Sequence, residues 1–202
     1  MRTQILDIFK LLGYCPQFGG LFPRGVTLKQ HLELYARLKG MEDVDLEAHC
    51  TRVMREFGLV EHAHKSVNKL SGGTRRKLMA AVALACEPRV CFLDEPTTGV
   101  DVGTRQFLWE RIRAKGRRGC ALILTTHYME EADALAQRIG ILVNGRLQVR
   151  GRAGRALLGR RWGSQRKWRK LTRGRKLTRG RKLTRGRKLT RNLAQLAIPY
   201  RT

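Results

Sequence analysis

The chain has 202 residues, with 42 Lys and Arg against 16 Asp and Glu, a length that suits one ordinary domain. Residues 150–202 hold 20 of the basic side chains and no acidic one, so most of the net charge of +26 belongs to this segment. This distribution excludes a uniformly basic nucleic-acid-binding domain, because only the end of the chain has that composition. It predicts a domain over residues 1–150 and a basic, low-complexity tail over residues 151–202.

Neither a membrane span nor a secretory signal is predicted. The longest uncharged stretches, residues 11–23 and 120–129, are shorter than the 18 or more apolar residues that cross a bilayer. Asp7 and Lys10 interrupt the only apolar start, so we expect the chain on the cytosolic side. The cysteines are odd in number and show no metal-ligand spacing, which favours reduced, packed thiols at Cys15, Cys50, Cys86, Cys91 and Cys120.

The first half of the domain reads as a strand followed by helices. Residues 11–15 predict a strand that ends at Pro16, with Gln17 at its exit. Thr27 and Gln30 form a capping box for an amphipathic helix that continues to Gly40. A second helix is predicted over residues 46–57, with Gly58 as its end.

The second half alternates between apolar strands and helices. Ser71 is a natural N-cap for a helix over residues 72–86, whose basic residues 75–77 we expect to face solvent. Residues 90–93 and 121–125 predict buried strands that lead to Asp94-Glu95 and to His127. Helices are predicted over 101–115 and 128–137, and strands over 139–143 and 146–149 joined by an Asn-Gly turn. This alternation predicts an α/β sheet.

Five motifs carry a family resemblance, and they occur in one order along the chain. They are Gln17, the Leu-Ser-Gly-Gly-Thr of residues 70–74, the Val-Cys-Phe-Leu-Asp-Glu-Pro of residues 90–96, Asp101 and His127. Residues 11–149 thereby resemble the nucleotide-binding domain of ATP-binding cassette (ABC) transporters. Cys-Pro-Gln-Phe at 15–18 and Asp-Glu-Pro-Thr-Thr-Gly-Val-Asp at 94–101 look most like subfamily A, whose members are membrane proteins that move lipids. The resemblance implies a partial P-loop NTPase fold with a helical subdomain.

The resemblance also implies roles in MgATP hydrolysis. Asp94 would hold Mg²⁺ through water, and Glu95 would orient and polarise the attacking water. His127 resembles the switch histidine at the γ-phosphate, and Gln17 the loop glutamine that senses metal and water. The signature residues Ser71, Gly72, Gly73 and Thr74 would face the ATP of a second cassette, since a helix N-terminus with glycines favours a close anion. Asp101 resembles the D-loop aspartate at that dimer interface.

One family motif does not occur in the printed sequence. The phosphate loop, Gly-x-x-x-x-Gly-Lys-Ser/Thr, whose backbone and lysine hold the phosphates of ATP, is not present, and only 16 residues precede Gln17. We therefore expect the isolated chain to lack ATPase activity. We also expect the strands at 90–93 and 121–125 to lack a neighbour and to expose apolar edges, because the strand before this loop is central in the sheet.

The tail is dominated by a repeat. Arg-Lys-Leu-Thr-Arg-Gly occurs three times from Arg169, and a fourth copy ends in Asn192. A period of six brings no common face to the leucines of a helix, and the charge density favours disorder. Such a segment could contact anionic lipid or nucleic acid, or it could be a translated tandem repeat without a function of its own.

Three functions therefore remain open at this point. The chain could be the nucleotide-binding part of a membrane-associated transporter, on the cytosolic side, with transmembrane domains and a second cassette as partners. It could instead supply the signature residues to another cassette without turnover of its own. It could also be a polybasic binder of nucleic acid or membrane surfaces.

Overall fold

A computed structural model describes residues 2–19, 25–143 and 146–152 of the chain. Helices and strands alternate along these residues, which confirms the predicted α/β class. The helices are α1 (Arg2–Leu11), α2 (Leu28–Leu38), α3 (Asp43–Glu56), α4 (Gly72–Leu84), α5 (Val102–Arg117) and α6 (Met129–Leu135). The strands are β1 (Leu12–Cys15), β2 (Val90–Asp94), β3 (Ala121–Thr125), β4 (Arg138–Val143) and β5 (Arg146–Arg152). The Asn-Gly turn at 144–145 and the repeats of the predicted tail lie outside the described residues.

The central sheet is parallel, with β1, β2 and β3 in that order. Its register pairs Cys15 with Leu93 and Asp94 with Thr125. The expectation that both strands lack a neighbour is wrong for β2, which lies between β1 and β3 and pairs with both. Strand β3 pairs with β2 alone, so among the described residues it stands at the edge of this sheet. The prediction made the strand before the missing loop the needed neighbour of both, whereas β2 has β1 on one side and, through the crossover helix α5, β3 on the other.

The sheet has one buried face and one partly exposed face. Side chains alternate between the two faces of a strand, so Cys91 and Leu93 of β2 are buried on the same face as their partners Leu122 and Leu124 in β3. This face packs on α4, and Gly13 permits the approach: a Cβ there would lie 2.2 Å from the Ala83 carbonyl oxygen. On the opposite face Phe92 and its neighbour in β1 stay exposed. The core therefore lies between the sheet and α4.

A helical subdomain, α2 and α3 with short 3₁₀ turns at Val60–His62 and Val67–Lys69, leads the chain into α4. The predicted capping box is present: the Thr27 hydroxyl accepts from the Gln30 N–H, and the Gln30 side chain accepts from the Thr27 N–H. Phe57 is fully buried between these helices and the rest of the core. Burial of a side chain of that size contributes about 1.5–3 kcal/mol, which stabilises the subdomain against the core.

The first helix was not predicted from the sequence. Asp7 and Lys10 break the apolar run, but in α1 they lie one turn apart and form an exposed ion pair of 3.4 Å. The side chains of Ile5, Ile8, Phe9 and Leu11 in α1 are about half exposed. Helix α1 ends directly at β1 and thereby sets the start of the sheet's first strand.

The five cysteines are free thiols, as predicted. Four of them are buried and Cys86 is half-buried. Burial raises the pKa of Cys15, Cys50 and Cys120 to about 11, and it also raises the pKa of Cys91. These thiols therefore serve as small apolar core groups. Across the described ranges, no helix has the length and apolar character needed to span a bilayer.

Candidate functional site

Four predicted residues meet at one edge of the central sheet. Because β1, β2 and β3 are parallel, their carboxyl ends lie side by side, and each is followed by a polar residue. Gln17 follows β1, Asp94 and Glu95 end β2, and His127 follows β3. We call Gln17, Asp94, Glu95 and His127 the Glu95 cluster. Ligands of open parallel sheets bind at this edge, so the topology itself makes it a candidate site.

The carboxylate of Glu95 is the centre of this cluster. Its Oε2 accepts hydrogen bonds from Gln17 Nε2 at 2.7 Å and from the Thr98 hydroxyl at 2.9 Å. Its Oε1 lies 3.1 Å from His127 Nδ1. Glu95 is only 5 % exposed, so a carboxylate that would otherwise be costly to bury is held by three polar partners. The group is thereby fixed in position and orientation.

The backbone at Glu95 is strained. Its φ is +45°, in the left-handed region that residues with a Cβ avoid. The Glu95 N–H donates to the Thr125 carbonyl oxygen at 3.0 Å and to the Thr125 hydroxyl at 3.1 Å, which secures this turn against β3. Strain of this kind costs about 1–3 kcal/mol and persists only where the surroundings impose it. Here it turns the carboxylate back toward Gln17 and His127.

Asp94 and His127 present the more accessible atoms of the cluster. Asp94 is half-buried and its Oδ1 accepts from the Thr125 hydroxyl. His127 is 41 % exposed and its ring lies against the Tyr128 ring, with 4.1 Å between centroids. Since Nδ1 of His127 faces Glu95, Nε2 is the ring nitrogen that remains for a ligand. The cluster thus offers a carboxylate and an imidazole to a molecule at the sheet edge.

The signature residues form a separate part of the surface at the start of α4. Ser71 is the N-cap: its hydroxyl accepts from the Thr74 N–H at 3.1 Å. Ser71 and Gly72 are exposed, and a Cβ on Gly72 would meet nothing within 4 Å. Open backbone N–H groups at a helix N-terminus are suited to an anion. The described contacts do not bring the signature side chains against the Glu95 cluster.

Asp101 lies beside the signature residues. It caps α5, and its Oδ1 accepts from the Thr104 N–H at 2.9 Å. This hydrogen bond to backbone holds the pKa of Asp101 below its ordinary value. A Cβ on Gly73 would lie 3.7 Å from Asp101 Oδ2, so the two predicted motifs are neighbours at the α4–α5 contact. The structure therefore groups the predicted residues in two sets, the Glu95 cluster and the Ser71–Thr74 surface with Asp101.

Sequence reasoning missed Arg76. The expectation that residues 75–77 face solvent is wrong for Arg76, which is 5 % exposed and directs its guanidinium at the backbone of the Glu95 cluster. Its position three and four residues before the buried Met79 and Ala80 was the available signal, since such residues share a helix face. A charge on the buried face of a helix was not expected.

Sequence reasoning also missed a buried carboxylate behind the site. Glu131 of α6 is fully buried, and its Oε1 accepts from the Thr97 hydroxyl at 2.8 Å and from the Trp109 indole N–H at 3.0 Å. This pair of bonds ties the loop after Glu95 to the helix after His127. The Glu95–His127 distance thus depends on α5 and α6 as well as on the sheet.

The side chains of the cluster suit Mg²⁺ and a phosphate group. Mg²⁺ takes oxygen ligands, and it is commonly held by one or two carboxylates while phosphate and water complete the shell. Asp94 supplies a half-buried carboxylate of this type, and the Oε1 of Gln17 is available because Nε2 donates to Glu95. Among the described residues, no three His, Cys, Asp or Glu side chains form a metal-binding group by themselves. A magnesium ion here would need ligands from a bound nucleotide.

Comparisons with known proteins place the chain among ABC transporters. Residues 4–98 match the family model described as "ABC transporter". The human "Cholesterol transporter ABCA5" is 43% identical over 143 residues, which cover 70% of this chain and 9% of that protein. The rat "ATP-binding cassette sub-family A member 7" is 42% identical over 142 residues, 70% of this chain and 6% of that protein. The Arabidopsis thaliana "ABC transporter A family member 11" is 42% identical over 144 residues, 71% of this chain and 15% of that protein.

A solved structure gives the same result for the fold. The chain titled "Structure of ATP binding subunit of ABC transporter" superposes with a TM-score of 0.69 and 28% identity, covering 81% of this chain and 69% of that one. The parallel sheet and these matches thus define an ATP-binding domain of the P-loop NTPase class. The chain belongs to the ABC transporter family, and its curated relatives are members of subfamily A. It spans between 6% and 15% of the length of these relatives.

Proposed function

We propose that this chain is the nucleotide-binding part of a subfamily A transporter that couples MgATP hydrolysis to the movement of a lipid across a membrane. The domain would lie on the cytosolic side, against transmembrane domains and a second cassette. Lipid as the transported class is supported by the human relative, which is named a cholesterol transporter. The observation that carries the proposal is the convergence of Gln17, Thr98 and His127 on the buried carboxylate of Glu95.

Within the Glu95 cluster we assign the proton chemistry to Glu95. Its carboxylate is the group that would orient the attacking water and accept its proton, as a general base must lie within hydrogen-bond reach. Gln17 and Thr98 fill the Oε2 side of Glu95, so the Oε1 side toward His127 faces the reacting atoms. His127 would contact the terminal phosphate through Nε2. Hydrolysis then needs little movement of protein groups, since each is already held.

Asp94 and Gln17 are proposed to hold the metal. When bound, Mg²⁺ would neutralise the charge that develops on the phosphate oxygens. The half-buried carboxylate of Asp94 is fixed by Thr125, so its remaining oxygen keeps a constant direction. The exposed residues Ser71 and Gly72, with Gly73 and Thr74 behind them, are assigned to the nucleotide of the second cassette. Asp101 would lie at the same interface.

A second candidate function follows from the absence of the phosphate loop in these 202 residues. Because the 202 residues contain no Gly-x-x-x-x-Gly-Lys-Ser/Thr, we propose that they do not hydrolyse ATP alone. The exposed start of α4 needs no such loop, so the chain could still complete the ATP site of a full cassette. An assay for this function mixes the chain with a complete subfamily A cassette and measures steady-state turnover. Stimulation that Ser71→Arg abolishes supports it, and no stimulation contradicts it.

To test the main proposal, a segment that contains the phosphate loop of a complete cassette is joined to the N-terminus of this chain. ATP turnover is then measured for the joined chain and for variants of it. We expect Glu95→Gln to lower kcat by about two orders of magnitude and His127→Ala to lower it by about one or more. Glu87→Gln is the matched control, because Glu87 is also a glutamate with a positive φ but lies outside the cluster. Unchanged turnover in Glu95→Gln would contradict the proposed role.

The basic tail needs its own control. The predicted anion binding by residues 169–191 would raise the local nucleotide concentration at low salt, because exposed charges act over about 10 Å at 0.1 M ionic strength. Each assay is therefore repeated with a chain that lacks these residues. If deletion abolishes all nucleotide, lipid or nucleic-acid binding, the polybasic binder is the better description of the chain.

A further inference from the structure

We propose that Arg76 is a positioning residue that sets Gln17 and Glu95 relative to each other, an inference that rests on the proposed function. Arg76 lies on α4, in the second turn after the N-cap Ser71, and its side chain is almost completely buried. Sequence reasoning assigned it no role beyond that of one of three basic residues after the signature, expected to face solvent. Its contacts are with the backbone on either side of the catalytic amide and carboxylate.

Five carbonyl oxygens accept hydrogen bonds from the guanidinium of Arg76. Nε donates to Pro96 at 2.6 Å, and Nη1 donates to Pro16 at 2.8 Å and to Gln17 at 3.0 Å. Nη2 donates to Asp94 at 3.0 Å and to Glu95. Nη1 also lies 3.8 Å from the Met79 Sδ, a weak acceptor. A guanidinium has five N–H groups, enough for one bond to each of the five carbonyl oxygens.

These bonds connect three segments that are distant in sequence. The exit of β1, the exit of β2 and the start of α4 meet at one planar group, and its rigid fork fixes their separations. The Gln17 carbonyl and the Glu95 carbonyl are both held by it, so the 2.7 Å contact between the Gln17 amide and the Glu95 carboxylate follows from its position. The backbone segments at Gln17 and Glu95 cannot separate without breaking bonds to Arg76.

The bonds to Arg76 also bear on the strained turn at Glu95. The N–H of Glu95 is held by Thr125, and its carbonyl oxygen is held by Arg76. The peptide groups on both sides of this residue are therefore fixed, which is what its positive φ requires. A lysine at position 76 keeps the charge but offers one ammonium group, which cannot reach all five carbonyls from one point.

The same contacts place α4 in direct connection with the Glu95 cluster. Ser71 and Arg76 are separated by little more than one turn of a single helix. A shift of α4 would therefore move the carbonyl groups of Gln17 and Glu95 with it. Arg76 gives the exposed signature surface a mechanical link to the carboxylate that would orient water.

The test is a measurement on the full 202-residue chain by NMR, with no nucleotide present. In Arg76→Lys we expect the side-chain amide signals of Gln17 to move to the positions of a solvated glutamine. Hydrogen exchange of that amide should rise about tenfold or more, because its bond to Glu95 opens more often. Arg113→Lys is the matched control, since Arg113 is a half-buried arginine that donates to the carbonyl of Ala134, away from the cluster. Its Gln17 signals should be unchanged.

A folded Arg76→Lys chain with unaltered Gln17 signals would overturn the proposal. If that variant does not fold, the unmodified chain gives the answer: five carbonyl bonds predict four separate Nη–H signals for Arg76, because rotation of the guanidinium is blocked. One averaged signal would overturn the proposal as well. Neither readout uses ATP hydrolysis, so a chain that never supports turnover would contradict the proposed function and leave the positioning of Gln17 by Arg76 intact.

Discussion

Replacement of Glu95 by glycine or by alanine separates the strain at this residue from the contacts of its side chain. Both changes remove the carboxylate and its three partners, and they differ only in the Cβ. At a φ of +45° a Cβ costs about 1–2 kcal/mol. Glycine loses about 0.5–1 kcal/mol more entropy on folding. The difference of these two terms lies between about 0 and 1.5 kcal/mol, and from the middle of this range we expect Glu95→Gly to be more stable than Glu95→Ala by about 0.5–1 kcal/mol.

The measurement is urea unfolding of the two variants, followed by far-ultraviolet circular dichroism. With a slope near 2 kcal/mol/M, the midpoint of the glycine variant should be higher by about 0.25–0.5 M. The matched control is Asp94, the preceding residue, which does not have a positive φ. There the order should reverse, with alanine more stable than glycine by about 0.5–1 kcal/mol. Equal or greater stability of Glu95→Ala over Glu95→Gly would refute strain at Glu95.

Three further predictions follow from packing, charge and burial. Gly13→Ala should destabilise the fold by several kcal/mol in denaturant titrations, because its Cβ would lie 2.2 Å from the Ala83 carbonyl oxygen. Asp101→Asn should be less stable than wild type at neutral pH, because a lowered pKa means that the fold favours the charged carboxylate. This difference is fully present above the unfolded pKa of about 3.8. It disappears as the pH falls through the pKa that Asp101 has in the folded protein. In native protein at pH 8, an alkylating reagent should modify Cys86 first, because the other four thiols are buried.

Each of these predictions has its own control. Gly72→Ala should leave stability nearly unchanged, because nothing lies within 4 Å of a Cβ at that position, so a large loss there would contradict the packing account. For Asp101, a difference from the asparagine variant that stays constant down to pH 2 would contradict the charge account. Denatured protein should react at all five cysteines, and equal rates in the native state would show that Cys91 and its neighbours are accessible.

The motifs made much of the site predictable. Residues that carry chemistry follow short apolar strands, and parallel strands bring such residues to one edge, so Gln17, Glu95 and His127 could be placed together from the sequence. Local signals also gave the helix starts at Thr27, Ser71 and Asp101, since an N-cap acts over only three residues. These predictions depend on contacts between residues close in the chain, or on the fact that parallel strands end at the same edge of a sheet.

The errors arose where contacts are distant in sequence. The neighbours of β2 were not foreseen, because no local pattern states which strands pair. Arg76 was assigned to solvent from its charge, yet 59 and 60 residues separate it from two of the carbonyls that accept from it. The left-handed turn at Glu95 was also missed, since glutamate gives no sign of a positive φ. Such features follow from the assembled fold.

The most direct test of the account is equilibrium binding of labelled MgATP to chains without residues 169–191, at moderate salt. We compare the chain alone with the chain joined to a phosphate-loop segment. The account predicts no tail-independent binding in the first case and micromolar binding in the second, which corresponds to about 8 kcal/mol. Micromolar binding by the chain alone would contradict the need for the loop. Absence of binding in the joined chain would contradict the central claim that this domain holds ATP at the Glu95 cluster.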